Sequence, residues 1–307
     1  MVTTQLADEA SAPFRSGTVA IVGRPNVGKS TLLNLLVKFK LSAVSPKPQT
    51  TRHKVLGILT SSSYQVAFLD TPGLPYRTPD ELNRRLVSRA LEALEEADLA
   101  VLMVEPRSPG RVERQLIEAL QKAGKPGILA INKIDLLPKA RVLPVMDEYR
   151  QLYPFSEIVP ISALKPDGVD RLLDVIVAHL PQGEAQFPPD EPTDRTERFL
   201  AAELVREQVF NTLAQELPYA VAVEIDEFRE QSEEYGGKDY IRAVLYVEKD
   251  SQKGILIGRN GEMLKRIGSQ ARQGIEAVTD RPVYLELWVK VYPRWRKDKA
   301  FLQRIGY

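Results

Sequence analysis

The chain has 307 residues, 43% hydrophobic and 27% charged, with no cysteine, two histidines and a net charge of +1. That length allows two domains, each burying its own core, and that composition excludes disordered and collagen-like classes. Without cysteine there is neither a disulfide nor a thiolate zinc site, and only His53 and His179 remain as imidazole ligands. No apolar run approaches the roughly 20 residues that span a bilayer. Met1 to Ser16 lacks the basic start and apolar core of a signal peptide and reads as a short disordered lead, so a cytosolic protein is expected.

Taken in order, the chain starts with an apolar run, Thr18 to Val22, that delivers it to Gly23-Arg24-Pro25-Asn26-Val27-Gly28-Lys29-Ser30, followed by helix-like spacing from Thr31 to Val37. This fits G-x-x-x-x-G-K-[ST] in a strand, loop, helix context. Glycines let backbone N–H groups turn inward around phosphate oxygens, and the helix start adds its dipole. Gly23, Asn26, Val27, Gly28, Lys29, Ser30 and Thr31 are therefore the candidate phosphate-binding set, with Lys29 on the outer phosphates and the Ser30 hydroxyl on Mg²⁺.

Ser42 to Arg52 is polar, contains Pro46 and Pro48, and reads as an exposed connection. Lys54–Thr60 and Tyr64–Asp70 are strand-like and joined by three serines, too short a link for a helical crossover, so they are expected to pair antiparallel. From there helices near 80–96, 111–123, 142–152 and 168–180 alternate with strands near 99–105, 127–132 and 157–161. The alternation predicts an α/β fold, a mostly parallel sheet with helices on both faces, whose ligand sits at the carboxyl ends of the strands.

Three further motifs fall at such ends. Asp70-Thr71-Pro72-Gly73 puts a carboxylate within reach of Mg²⁺ and a Gly73 N–H within reach of a γ-phosphate, although a Pro-Gly turn alone would use the same letters. In Asn132-Lys133-Ile134-Asp135 the Asp135 carboxylate matches the N1–H and 2-amino donors of guanine, which adenine lacks. Asn132 would tie the neighbouring loops together and the Lys133 stem would lie along the ring. Ser162-Ala163-Leu164 could offer a backbone N–H to guanine O6.

Residues 181–193 are dense in proline and read as a stiff linker between a first domain, 17–180, and a second, 194–307. The second domain reads as a helix from Asp194 to Glu216 capped by Asp194 or Thr196, strands Tyr219–Phe228 and Tyr240–Glu248, a short helix, Gly258-Arg259-Asn260-Gly261, a longer helix to Val278 and a strand Val283–Val291. This α+β order, with G-x-x-G between two helices, resembles a type II KH domain, an RNA-binding module. Charge supplies an independent sign: Asp194 to Glu248 carries six Lys or Arg against thirteen Asp or Glu, whereas Lys249 to Tyr307 carries thirteen against six. The basic half holds Lys253, Gly258, Arg259, Asn260, Gly261, Lys265, Arg266 and Arg272, the candidate RNA-binding set. Tyr292 to Lys299 interleaves aromatics with cations, suited to RNA contact or to packing of Trp295.

The four nucleotide motifs together resemble the translation-factor-related branch of small GTPases. That resemblance makes 48–53 the switch segment, in which Thr51, with Thr50 as the alternative, closes on Mg²⁺ when GTP is bound. Metal ligation is thus expected from Ser30, Thr51 and Asp70, and catalysis from Lys29, Thr51, Asp70, Gly73 and Asn26. Leu74 stands where Ras-like hydrolases place a water-orienting glutamine, so slow intrinsic hydrolysis is expected. In GTPases similar to this one an asparagine at the place of Asn26 helps hold K⁺ against the phosphates; a plain loop-stabilising side chain is the other reading. Arg24, Lys47 and Arg52 are further candidate charges near the phosphates. A GTPase domain followed by a KH domain resembles the bacterial Era family from Thr18 to the end of the chain. The resemblance implies GTP as substrate and GDP as product, the 3′ region of small-subunit ribosomal RNA as partner, and assistance to small-subunit assembly by a monomer, with contact between the basic face and the inner face of the membrane left open. An RNA chaperone holding GTP as a structural ligand is the alternative.

Overall fold

In a computed structural model of the full chain, residues 13–48, 50–73 and 81–307 are described. The sequence passes through β1 (Arg15–Gly23), α1 (Lys29–Val37), β2 (Val55–Thr60), β3 (Tyr64–Asp70), α2 (Glu81–Glu96), β4 (Leu99–Val104), α3 (Arg111–Ala123), β5 (Gly127–Ile131), α4 (Val142–Arg150), β6 (Glu157–Pro160) and α5 (Val169–His179). The strands form a six-stranded sheet in the order β2-β3-β1-β4-β5-β6, parallel except for β2 against β3. Successive residues of a strand point to opposite faces. Accordingly Val19, Ile21, Val101 and Met103 pack with α1 and α5, while Ala20, Val22, Leu102 and Val104 pack with α2, α3 and α4. Both faces are covered, as a parallel sheet requires.

Two residues of the lead expected over 1–16, Arg15 and Ser16, belong instead to a strand, β1. Residues 1–12 lie outside the described residues. The Arg15 N–H bonds Ser63 O at 3.1 Å and its guanidinium bonds Leu180 O at 2.6 Å. Leu74 and Asp80 also fall outside the described residues.

The second half runs α6 (Glu197–Thr212), β7 (Ala222–Ser232), β8 (Lys238–Val247), α7 (Asp250–Ile257), α8 (Glu262–Thr279), β9 (Val283–Val291) and α9 (Lys299–Arg304). Thr196 caps α6 by accepting from Phe199 N. The three strands are ordered β7-β8-β9, antiparallel then parallel, and α6 and α8 bury one face over Ile241, Ala243, Leu245 and Val247. The hairpin between β7 and β8 is tighter than the expected 229–239 connection, because β7 continues to Ser232 and β8 starts at Lys238.

Two features join the halves. The linker does not hang free: it lies against the β2 edge of the sheet, where Ile58 N bonds Pro192 O at 2.8 Å and Thr193 Oγ1 bonds Leu56 O at 2.6 Å. Gln65, buried on β3, accepts the N–H groups of Gln186 and Phe187 at 2.7 and 2.9 Å and donates to Phe187 O at 2.8 Å. The carboxyl-terminal tail folds back as well. Trp295 is fully buried and donates its indole N–H to Ala220 O at 3.0 Å, and with Phe301, Leu302 and Tyr307 it closes a core against Leu82 and Leu86 of α2. Of the two readings of the tail, packing of Trp295 is the one observed.

Candidate functional site

The loop of residues 23–30 wraps the carboxyl end of β1. Gly28 has φ +105°, and a Cβ there would meet the Asn132 side-chain nitrogen at 2.4 Å; a Cβ on Gly23 would meet Met103 O at 2.4 Å. These close approaches explain why neither position takes a side chain. Lys29, at the start of α1, is buried; its ammonium donates to Arg24 O at 2.9 Å and Gly23 O at 3.3 Å, so it closes over the mouth of the loop. Burial lowers its pKa to about 8, with Asp70 pulling the other way.

Three of the expected metal-binding groups meet at one point. Ser30 Oγ donates to Asp70 Oδ2 at 2.7 Å and lies 2.7 Å from Thr51 Oγ1. Asp70 is completely buried, its other carboxylate oxygen lacks a hydrogen-bond partner, and burial raises its pKa against the opposing Lys29 charge. Two hydroxyls and a carboxylate with an unsatisfied oxygen form a hard oxygen donor set that suits Mg²⁺. Among the described residues there is no cluster of three or more His, Cys, Asp or Glu, so an ion held here takes its remaining ligands from phosphate and water. Thr50 lines the same cleft, but its hydroxyl turns away from the meeting point to Lys47 O at 2.8 Å. Gly73 sits over the loop, where a Cβ would strike Pro25 N at 2.4 Å.

At the other end Asn132, nearly inaccessible, donates to Val27 O at 2.8 Å and accepts from Ala163 N at 2.9 Å, tying β5, the phosphate loop and the turn after β6 together. The Ala163 N–H is thus spent on Asn132. Ser162 Oγ donates to Asp135 Oδ1 at 2.8 Å and accepts from Lys165 N at 3.1 Å. Lys133, at φ +67°, reaches back to Asn26 O at 2.8 Å and Glu105 at 2.6 Å. Two adjoining clefts result. One is lined by Gly28, Lys29, Ser30, Thr51 and Gly73; the other, the roomier, by Asn132, Lys133, Asp135, Ser162, Ala163 and Leu164. They share Asn26, Gly28, Thr31, Val44 and Ser45, and together make one groove with a phosphate-binding end and a base-sized end.

Asn26 has φ +64° and its side-chain amide donates to Pro46 O at 2.8 Å, the loop-stabilising role. Its Oδ1 is the atom a cation would use. The other candidate charges are committed elsewhere. Arg24 pairs with Glu113. Lys47, although it lines the phosphate end, donates to the carbonyls of Phe210 and Leu213 in the second domain. Arg52 is buried in that domain, donating to Val221 O at 2.8 Å and Tyr219 O at 3.1 Å. Next to it His53 packs between the rings of Phe199 and Tyr307, and burial together with the Arg206, Arg89 and Arg195 charges keeps its pKa well below the usual histidine value.

In the second domain Gly258 (φ +73°), Asn260 (φ +52°) and Gly261 (φ +78°) make the turn between α7 and α8. A Cβ on Gly258 would meet Met263 Cβ at 2.7 Å, whereas Gly261 faces open space. Alongside runs a groove of about 900 Å³ lined by Gly261, Lys265, Arg272, Leu285 and Leu287, between α8 and the edge strand β9. Lys265 and Arg272, seven residues apart, share a helix face. Arg259 and Arg266 are exposed and Lys253 half-buried, and none of the three lines the groove.

Comparison with known proteins agrees with both halves. A family model described as a 50S ribosome-binding GTPase matches residues 18–133, and a KH-domain model matches residues 216–296. GTPase Era of Geobacter metallireducens is 48% identical over 96% of this chain and 98% of its own length; that of Lactobacillus helveticus is 45% identical over 96% of each. The chain belongs to the Era family of GTPases. The fold follows suit. A point variant of Aquifex aeolicus Era bound to GDP·AlF4⁻ superposes with a TM-score of 0.92 at 42% identity, covering 96% of this chain and 99% of that one. The same figures hold for an Era in complex with MgGDPNP and nucleotides 1506–1542 of 16S ribosomal RNA. This Era-family chain is therefore a P-loop GTPase domain followed by a KH domain. Residues that sequence reasoning missed are those between the domains, Glu203, Arg206, Glu207 and Gln65. An acid-base pair three residues apart, flanked by the apolar positions Leu200, Leu204, Val205 and Val209 of α6, was the signal available for the first two.

Proposed function

We propose that this chain is a GTP-driven switch that binds the 3′ region of small-subunit ribosomal RNA through its KH domain and assists assembly of that subunit. What supports the RNA target is the likeness over nearly the whole chain to an Era complexed with 16S nucleotides 1506–1542, together with a groove in this chain that joins Lys265, Arg272 and an open Gly261. In the reading Lys29 neutralises the outer phosphates, Ser30, Thr51 and Asp70 hold Mg²⁺, Gly73 offers its N–H to the γ-phosphate, and Asp135 selects guanine. Mg²⁺, when bound, neutralises the charge that develops on the transferred phosphoryl group. The protein works in the cytoplasm, as a monomer.

The observation that carries the switch is a single segment. Thr51 turns to Ser30 while Arg52 beside it is buried in the KH domain, so a change at the phosphates moves the chain that the second domain grips. RNA affinity should therefore be higher with a GTP analogue than with GDP; equal affinity would rule the coupling out. Hydrolysis is slow in this reading because Leu74 cannot orient water, and K⁺ held through Asn26 accelerates it. Turnover compared in KCl and NaCl at matched ionic strength tests that, and equal rates would sink it.

A further inference from the structure

The segment that carries Thr51 is hung along one helix of the KH domain. Arg206 of α6 is 1% exposed, is paired with Glu203 on the same helix, and donates to the Thr50 carbonyl. Glu207, the next residue, accepts Val44 N at 2.8 Å and pairs with Lys40 at 2.7 Å. Lys47 donates to Phe210 O and Leu213 O at the carboxyl end of α6, where unpaired helix carbonyls and the dipole favour a cation. The contacts alternate along the segment with those to the nucleotide loop, so Thr51 is approached from the front by Ser30 and its neighbour Thr50 is held from behind by Arg206. The Glu203 carboxylate already balances the buried guanidinium. The bond to Thr50 is therefore an additional, charge-assisted tie to the other domain.

We infer that Arg206 is a positioning residue for GTP hydrolysis: by fixing the Thr50 carbonyl it turns Thr51 toward Ser30, which makes α6 of the KH domain part of the nucleotide-sensing switch. α6 in turn packs on α8, the helix that lines the RNA groove: Leu204 lies 3.5 Å from where a Cβ on Gly274 would stand, in one core with Ala271 and Ile275. The helix that grips the switch and the helix that lines the groove thus share one core. The inference rests on Thr51 being the γ-phosphate sensor.

The test uses the full chain with Arg206→Gln, Arg206→Lys and Lys47→Met, reading affinity for GDPNP and GDP separately, and kcat and KM for GTP. GDP does not require Thr51, so its affinity should hold in both Arg206 variants; Lys47 lines the phosphate end, so Lys47→Met is read by the ratio of GDPNP to GDP affinity. Loss of a charge-assisted bond should lower GDPNP affinity and kcat by about tenfold in Arg206→Gln, with partial recovery in Arg206→Lys. Lys47→Met should act in the same direction without touching the KH core, and it decides alone if Arg206→Gln fails to fold. Thr51→Ala separates the two levels: if it leaves the GDPNP to GDP ratio unchanged, the sensor reading falls. If Thr51→Ala collapses the ratio and every folded variant among Arg206→Gln and Lys47→Met keeps the parental ratio and kcat, the role of Arg206 is overturned.

Discussion

The two ends of the nucleotide groove are built differently. At the base end every tie stays inside the first domain: Asn132 to Val27 and Ala163, Lys133 to Asn26, Ser162 to Asp135. At the phosphate end the loop is equally self-contained, but the switch segment takes its support from the KH domain, through Arg206, Glu207 and the carbonyls that receive Arg52 and Lys47. A guanine-sized site that does not depend on the second domain can hold nucleotide in any arrangement. The γ-phosphate sensor proposed above, Thr51, sits in the segment that does depend on it and so would report on that arrangement. The contrast predicts that substitutions sort into those that change nucleotide affinity uniformly and those that change only the difference between GTP and GDP.

The largest expected effect comes from Lys29→Met. It removes the buried cation from the loop itself, so GTP turnover should fall by roughly 10²–10³-fold and binding of GDP and GDPNP should both weaken, as read by single-turnover hydrolysis and nucleotide titration. Asp135→Asn should come next. It exchanges a two-acceptor carboxylate for an amide that cannot accept both guanine donors, lowering affinity for GTP and GDP alike by on the order of 10²-fold and shifting preference toward xanthine nucleotides. A loss confined to GTP would break the contrast, because the base end would then be sensing the γ-phosphate. Arg52→Gln probes the other class. Its guanidinium is 2% exposed and held by carbonyls of the second domain, so removing a charged donor from buried acceptors should cost about 1.5–3 kcal/mol of domain docking. The KH domain should still bind RNA, GDP affinity should hold, and the difference in RNA affinity between GTP-analogue and GDP states should shrink.

The same contrast explains what the sequence disclosed. The base end and the phosphate loop are made of short contiguous motifs whose spacing is dictated by phosphate and base geometry, and Gly23, Lys29, Ser30, Asp70, Asn132 and Asp135 converge as their spacing predicted. The order of strands was equally legible, because alternation of apolar runs with amphipathic helices admits few topologies. The contacts between domains were not, because they join residues more than 150 positions apart and most of them end on backbone groups, which carry no side-chain signature. Arg52 was one of three candidate charges near the phosphates that spacing could not place; only the fold shows Val221 and Tyr219 taking its donors. Trp295 was undecided between RNA and core for a similar reason, since aromatics among cations serve either until a carbonyl such as Ala220 O is found for the indole. The linker was read from its prolines as a stiff spacer, but its course follows Gln65, a polar residue on a strand whose burial the local pattern does not announce.

Gln65 offers the smallest and most selective way to sharpen the contrast. Its side chain occupies three main-chain groups of the linker, the N–H of Gln186, the N–H of Phe187 and the Phe187 carbonyl. Gln65→Ala removes all three at once, and leaving these part-buried main-chain groups unpaired costs about 1 kcal/mol or more unless the strap lifts and lets water in. Lifting is the cheaper outcome, because the linker lies at the edge of the sheet and not in a core. Proteolytic nicking within residues 181–193 should therefore accelerate, by roughly tenfold if about 1.4 kcal/mol of attachment is lost and cleavage follows the open population. Affinities for GDP and for RNA should stay at parental values, because Asp70, the β3 residue at the nucleotide site, lies at the far end of the strand from Gln65 and the strap touches neither site, and the GTP-dependent part of RNA binding should fall only a few-fold because Arg52 and Arg206 still hold the switch. Unchanged nicking would mean that Ile58 and Thr193 fix the strap without Gln65, and that the linker's course is set by β2 alone.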